Sequence, residues 1–275
     1  MKRNRHASEG DRSAGALTRV ATWLCLCATA ALAQPPKSLQ IFNAASGAAT
    51  VAPNSIASAF GRQIGSSTAQ ATSLPLPTLL GGVSVDVVDS AKATRSAPLF
   101  YVSPNQINFV VPDGVAKGTT TITVMGRSDS TTSSITVAAV APGIFTANGN
   151  GVGVAAAIAI RRIIATQTDT QVPVYQCNAN GCSSTGITMS PDAQVFLELF
   201  GTGIRGRTSL ANVKATIGGE SADVLFAGPQ GEFPGLDQVN LLLPQTLHAE
   251  GETDVILTVD GQIANKVRVN LHRGQ

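Results

Sequence analysis

The chain has 275 residues, of which 13% are charged, and its formal net charge at neutral pH is +2. Once the first residues are set aside, no basic run remains that would bind nucleic acid or an anionic membrane. Ser, Thr, Gly, Val and Ala dominate and helical periodicity is nearly absent, so the composition argues against a helical bundle and predicts an all-β protein.

The first 33 residues have the pattern of a secretory signal peptide. Basic side chains precede the apolar run 20–30, and 31–33 supply the small residues that a signal peptidase recognises. The run is too short for a membrane span, which needs about 20 residues. A lipid anchor is the other alternative, but neither Cys25 nor Cys27 follows the small residue that lipidation requires. We expect cleavage before Gln34, and secretion to the periplasm, the cell surface or the medium.

Cleavage would leave 242 residues with a net charge of −1, enough for two domains of roughly 100 residues each. Short apolar alternations broken by Gly, Pro, Asn and Asp predict the strands of a first unit. These predicted strands are Ile56–Phe60, 83–88, 106–111, 119–124 and 134–140. Pro112 ends the third of them, because proline has no N–H to donate to a neighbouring strand.

A connecting segment, 143–190, is expected to form a linker and then a hairpin that packs on a second unit. Pro142–Gly143 marks its start, and the turn-rich 148–151 is expected to act as a flexible hinge. The stretch 153–164 contains helix-forming alanines, but its alternating β-branched residues favour a strand. Segments 172–175 and 186–189 are expected to pair with each other.

Between these segments lie Cys177 and Cys182. Two cysteines this close in a secreted chain predict a disulfide. A zinc site is the alternative, but zinc takes about four ligands. The remaining soft ligands of the secreted chain, His248 and His272, are far away in sequence.

The strands of a second unit follow from residue 195 onwards. They are predicted at 196–200, 213–217, 222–226, 238–243, 253–259 and 266–271, with a hairpin turn at Asp260–Gly261. This unit repeats the first: the segment 106–112 returns as 238–244, Phe60–Gly61 as Phe200–Gly201, and Gly81–Gly82 as Gly218–Gly219. The sequence therefore predicts two tandem immunoglobulin-like β-sandwich domains, at 34–142 and 191–275, from an internal repeat.

A set of short motifs resembles one known family. The motifs are Val51–Pro53, Phe60–Gly61, Leu74–Pro77, Gly81–Val83, Ala97–Tyr101, Pro142–Phe145, Gly201–Arg205 and Phe233–Asn240. They are similar to the uncharacterised C-terminal module of secreted acidobacterial proteins, the Solibacter-type module. Its units resemble the immunoglobulin-like domains of plexins and some transcription factors. The resemblance covers roughly residues 39–271 and implies no activity, catalytic residue or cofactor.

Catalytic and metal-binding patterns are weak. Neither His248 nor His272 follows a nucleophile motif, and a phosphate-binding Lys-Ser/Thr does not follow the glycines of 149–153. The candidates for sugar hydrolysis are the carboxylate pairs Asp223 with Asp237 and Glu198 with Glu220. The candidate for calcium binding is Asp237, with Glu232 and Asp223 nearby in sequence. Such acids are more often solvated or turn residues. Arg205 and Arg207 are candidates for binding an acidic ligand, although turn cations usually face solvent.

The repeated amides are the remaining candidates. Gln106 and Asn108 share one face of their strand, as Gln238 and Asn240 do on theirs. This face is either a ligand or partner surface present twice, or a structural feature in which each amide bonds nearby loop backbone, which is the commoner case.

The sequence therefore predicts a secreted, non-enzymatic interaction or structural module with no cofactor and no membrane span. Its partner would be a protein or a cell-envelope polysaccharide, and not nucleic acid. A polysaccharide-binding protein is the alternative and would expose Tyr101 or Tyr175 on a flat face. A third is a hydrolase whose site lies between the two domains.

Overall fold

The computed structural model describes residues 38–126, 129–247 and 250–274, so the predicted signal peptide lies outside the described residues. These three stretches consist of strands and turns, with one 3-10 turn at Leu210–Asn212. None of them contains a helix that is long and apolar enough to cross a membrane.

The first unit is a sandwich of two sheets. Its strands are β1 Gln40–Asn43, β2 Thr50–Val51, β3 Ile56–Phe60, β4 Ala69–Gln70, β5 Leu79–Leu80, β6 Val83–Val88, β7 Thr94–Ser96, β8 Leu99–Val102, β9 Gln106–Val110, β10 Gly118–Met125 and β11 Ser130–Val137. One sheet has the order β1-β3-β9-β8-β4, and the other has the order β2-β11-β10-β6-β5 with β7 beside β6. Alternation along β6 and β10 buries one face of the second sheet against Ile107 and Phe109 of the first.

The second unit repeats this arrangement with a longer sheet. Its strands are β12 Gly143–Ile144, β13 Ala157–Ile163, β14 Thr168–Pro173, β15 Tyr175–Asn178, β16 Gly181–Ser184, β17 Gly186–Met189, β18 Ala193–Thr202, β19 Val213–Ile217, β20 Glu220–Pro229, β21 Asp237–Leu242, β22 Gly251–Val259, β23 Gln262–Ile263 and β24 Val267–Arg273. The order is β14-β13-β18-β21-β20-β19-β22-β24-β17. Strand β20 belongs to both layers, because Ala222 pairs with Ala215 of β19 whereas Asp223 pairs with Leu242 of β21.

The strand registers confirm the internal repeat. Phe60 lies opposite Gln106 in the first unit, and Phe200 lies opposite Gln238 in the second. The matched Gly-Gly pairs are both hairpin turns: Leu80 pairs with Val83 across Gly81–Gly82, and Ile217 pairs with Glu220 across Gly218–Gly219. The strands beside these turns differ, because β10 pairs with the strand after the first turn, whereas β22 pairs with the strand before the second.

The predicted strands of both units are confirmed, as are the strand at 157–163 and the turn at Asp260–Gly261. The expected pairing of 172–175 with 186–189 is wrong. Strand β14 pairs with β13, and β17 adds to the far end of the sheet in parallel with β24. The residues between the two repeats therefore extend the second sheet at both ends.

The hairpin is shorter than predicted and consists of β15 and β16. Cys177 and Cys182 lie opposite each other in it, with their Cα atoms 4.0 Å apart, and form the predicted disulfide. Asn148 holds the hairpin to the rest of the unit, because its side chain accepts a hydrogen bond from the Cys182 N–H and donates one to the Cys182 carbonyl.

A third apolar cluster joins the two units, and we call it the joint cluster. Its buried members are Ala45, Ile56, Phe145, Ala156, Phe200 and Leu236, with Ala44, Phe100, Ile158 and Phe233 packed around them. Ile56 and Leu236 each have 1% exposed surface, so each contributes roughly 1.5–3 kcal/mol by burial.

One buried hydroxyl bonds both units within this cluster. The Ile56 N–H donates to Thr202 Oγ1 over 2.8 Å, and the same hydroxyl donates to the Gly235 carbonyl over 2.7 Å. Gly235 has a φ of +78°, and a Cβ at this position would lie 2.6 Å from Ile56 Cγ1. Glycine is therefore required where the two units touch.

The loop at the predicted hinge is hydrogen-bonded to its surroundings. The Gly151 N–H donates to the buried Thr146 Oγ1, and Asn265 Nδ2 donates to the carbonyls of Ile144 and Gly151. These bonds attach the start of the second unit to the turn before β24.

Thr202→Val should destabilise the protein by about 1–3 kcal/mol or more, because it leaves the Ile56 N–H and the Gly235 carbonyl buried without a partner. Thr120→Val is the matched control. The Thr120 hydroxyl is buried and has no hydrogen-bond partner in the described part of the chain, so its loss should be neutral or stabilising. Urea denaturation of both variants measures the difference, and equal effects would contradict the role given to Thr202.

Candidate binding face

The sequence-predicted amides of the first unit are buried on the outer face of their sheet, the face turned away from the sandwich core. Gln106 and Asn108 are 7% and 3% exposed. Gln106 Nε2 donates to Asn108 Oδ1 over 2.9 Å, and the Ser58 hydroxyl donates to the same oxygen over 2.9 Å. The two Asn108 contacts thus hold three side chains of neighbouring strands together.

The second unit repeats the amide contact but changes its surroundings. Gln238 Nε2 donates to Asn240 Oδ1 over 2.7 Å, and both side chains are half-buried. The contact common to both units is therefore the hydrogen bond between the two amide side chains. Glu198 lies opposite Asn240, at the position where Ser58 lies opposite Asn108.

A β-bulge at the same place in each unit sets the apolar part of this face. The register shifts between Leu99 and Tyr101 on β8, and between Val224 and Phe226 on β20. A bulge adds one residue, so two consecutive side chains share a face. Tyr101 is thereby set opposite Asn108, and Phe226 opposite Asn240.

Glu198 occupies an apolar part of the second sheet. Ile158 lies opposite it on β13, while Phe196 and Phe200 are its same-face neighbours along β18. Burial in these surroundings raises the pKa of Glu198 above its usual value. No hydrogen bond or ion pair reaches this carboxyl group from any residue of 38–126, 129–247 or 250–274. The nearby Arg162 is paired with Asp169 and lies over the Phe196 ring, 5.1 Å from its centroid.

Asp237 and Arg205, two other candidates, form a buried ion pair. Arg205 Nε lies 2.7 Å from Asp237 Oδ1, and the Ile204 N–H donates to Asp237 Oδ2 over 2.7 Å. Burial raises the pKa of Asp237, whereas Arg205 and the backbone donors act in the opposite direction. Both charged groups are used internally, which argues against Asp237 as a calcium ligand and against Arg205 as a receptor for an acidic ligand.

The sequence-predicted acid pairs are not brought together. Asp223 lies opposite Leu242 and Asp237 opposite Pro229, at opposite ends of one ladder. Glu220 pairs with Ile217 in the other layer from Glu198. No cluster of three His, Cys, Asp or Glu side chains suited to a metal ion occurs among the residues that the structure describes.

The remaining predicted residues fall into two groups. Tyr101 is half-buried on the outer face of the first unit, whereas Tyr175 packs against the core of the second. His272 is exposed on β24, with its ring against Gly186, where a Cβ would lie 1.9 Å from His272 Cδ2. His248 lies outside the described residues.

Two residues of this region, Thr202 and Glu198, have no strong signal in the sequence. Thr202 directly follows Phe200–Gly201. The equivalent residue of the first unit, after Phe60–Gly61, is Arg62. The sequence offers Glu198 only as half of an acid pair. Aligning the two copies strand by strand would have shown that Glu198 replaces Ser58 beside a retained Asn.

No protein-family model and no curated protein matches the chain. Solved structures of tandem domains are similar to it. Titin tandem immunoglobulin domains A164–A165 are 9% identical over 86% of this chain and 98% of theirs, with a TM-score of 0.21. Domains 5–6 of the S-layer protein SbsC are 11% identical over 88% of this chain and 100% of theirs, with a TM-score of 0.23. SGBP-B, from a xyloglucan utilization locus in Bacteroides uniformis, is 11% identical over 86% of this chain and 49% of its own, with a TM-score of 0.26.

Glu198→Gln should raise the thermal unfolding midpoint at neutral pH. Because burial raises the pKa of Glu198, the folded protein holds the proton of this carboxyl group more tightly than the unfolded chain does, so stability from this residue is present at acid pH and decreases as pH rises through the folded-state pKa. The gain from Glu198→Gln should therefore be larger at pH 7.5 than at pH 4. Glu232→Gln, on an exposed loop, controls for the change in net charge. A gain that does not depend on pH would contradict this account.

Proposed function

We propose that this chain is a secreted, non-enzymatic binding or structural module that acts at the cell surface or in the extracellular space. The observation that carries the proposal is the junction between the units. Buried hydrogen bonds at Thr202 and the joint cluster hold the outer faces of two sandwiches next to each other. A scaffold of this kind presents loops and sheet faces to a partner in a fixed relation.

The proposal also covers the cleavage of the chain, the boundaries of its two units and the family to which it belongs. We propose that residues 1–33 are a signal peptide, that the units are 34–142 and 191–275, and that 143–190 connects them. We also propose membership of the Solibacter-type family. The motifs in the sequence support that membership, and a disulfide supports an oxidising compartment. Intact mass and N-terminal sequencing of the secreted chain test the cleavage before Gln34.

A cell-envelope polysaccharide is the second candidate partner. The observation that favours it is the row of polar and aromatic side chains on the outer face of the second unit, where Phe226 lies beside Asn240. Aromatic rings and amides are the side chains with which proteins contact sugar rings and hydroxyl groups.

The binding role predicts saturable cosedimentation of the chain 34–275 with isolated cell-envelope fragments. Gly235→Ala should weaken this binding at least about tenfold and increase the radius of gyration in small-angle X-ray scattering, because the added Cβ would meet Ile56 at the joint. Gly231→Ala is the matched control: it also has a positive φ, of +104°, but nothing lies within 4 Å of an added Cβ.

Two results would count against the proposal. A wild-type chain that shows no saturable binding to any envelope fraction contradicts a binding role. A Gly235→Ala chain that scatters and binds like wild type contradicts the importance of the joint. Treating the fragments with protease or with periodate beforehand distinguishes a protein partner from a polysaccharide.

A further inference from the structure

We propose that the outer face of the second unit, around Glu198, Asn240 and Phe226, is a binding site for a neutral carbohydrate. This inference rests on the binding role proposed above and specifies both its ligand class and its location. It assigns different roles to the two copies of the amide pair: the copy in the first unit is structural, and the copy in the second contacts the ligand.

The two copies of the amide pair have different surroundings. In the first unit, Ser58 donates to Asn108, and both side chains are almost fully buried. In the second unit, Glu198 replaces the serine, and a carboxylate cannot donate to the oxygen of Asn240. The amide pair there is only half-buried, as is Glu198 opposite Asn240.

Hydrogen-bonding chemistry favours a hydroxyl ligand. Glu198 offers acceptor oxygens that have no partner within the described residues. Asn240 Oδ1 already accepts from Gln238, so the Asn240 amide presents its NH2 donor. A sugar hydroxyl both donates and accepts and can use the two groups together. A lysine or arginine of a protein partner carries donors only, so it would satisfy Glu198 and leave the donor of Asn240 unmatched.

The bulge on β20 supplies the apolar surface that such a site needs. Phe226 is 38% exposed and Leu225 is 49% exposed, which is unusual for two consecutive large apolar residues. The Phe226 ring packs over Gly228, whose Cβ position is 3.4 Å from Phe226 Cζ. An exposed ring beside hydrogen-bonding groups can stack on the apolar face of a sugar.

The geometry of the sheet sets the size of the ligand. Glu198, Asn240 and Phe226 are opposite one another on the consecutive strands β18, β21 and β20. Neighbouring strands are about 4.8 Å apart, so the row extends roughly 10 Å across the sheet. That length suits a short stretch of oligosaccharide lying across the strands. Ile158 continues the row to the joint cluster, so the site begins where the two units meet.

Affinity electrophoresis of the full secreted chain tests this inference. Native gels would contain soluble xylan, laminarin, dextran or hydroxyethylcellulose, and immobilised polylysine would serve as the probe for a basic protein partner. We expect at least one of these glycans to retard wild-type protein. Glu198→Gln and Phe226→Ala should each lower that affinity at least about tenfold.

Tyr101→Ala is the matched control, because Tyr101 has the equivalent bulge position in the first unit. It should leave glycan retardation unchanged. Glu198→Gln keeps the shape of the side chain and should be at least as stable as wild type at neutral pH, so a loss of binding in this variant is not a loss of fold. The unfolding midpoint of each variant is measured alongside.

Three results would overturn the inference. Wild type that no glycan retards, while envelope binding persists, removes the carbohydrate site and leaves the proposed module intact. Retardation lost in Tyr101→Ala but kept in Glu198→Gln places the site on the first unit. Binding to polylysine that depends on Glu198, without glycan retardation, assigns this face to a cationic protein.

Discussion

The Thr202 hydroxyl is the contact on which the arrangement of the two units depends. It accepts from the backbone of β3 in the first unit and donates to the loop before β21 in the second. Both partners are buried, so no water replaces either bond, and an unmatched backbone group in such a place is costly. The surrounding apolar cluster would tolerate several orientations of the units, whereas directional bonds at its centre select one.

Duplication gave both units the same face, and substitution then made the faces different. The Gln–Asn contact and the bulge are retained in each copy, so both are features of the scaffold. What differs is the residue opposite the asparagine, which is a serine in one copy and a glutamate in the other. A half-buried carboxyl group without a cation destabilises the fold, and its presence at this position is the reason to look for a ligand there.

The buried ion pair of Asp237 and Arg205 shows the opposite use of charge. Asp237 comes directly before the amide pair, and Arg205 follows a few residues after Phe200–Gly201. At both positions the sequence alone suggests a site. Each partner instead satisfies the other, and Arg205 also donates to the Leu236 carbonyl. The pair thereby fixes the turn that leads into the joint, whereas Glu198, in the middle of the predicted strand 196–200, remains available.

The sequence by itself determined the elements that depend on local pattern: alternation predicted the strands, the repeat predicted two sandwiches, and close spacing predicted the Cys177–Cys182 disulfide. Only the tertiary structure decided contacts between residues far apart in the chain. The parallel addition of β17 to β24, the bulge that turns Phe226 outwards, the bonded loop at Gly151 and the position of Glu198 opposite Asn240 all depend on register and on packing between sheets. A periodicity of two identifies a strand and its faces, but it carries no information about which strand becomes its neighbour.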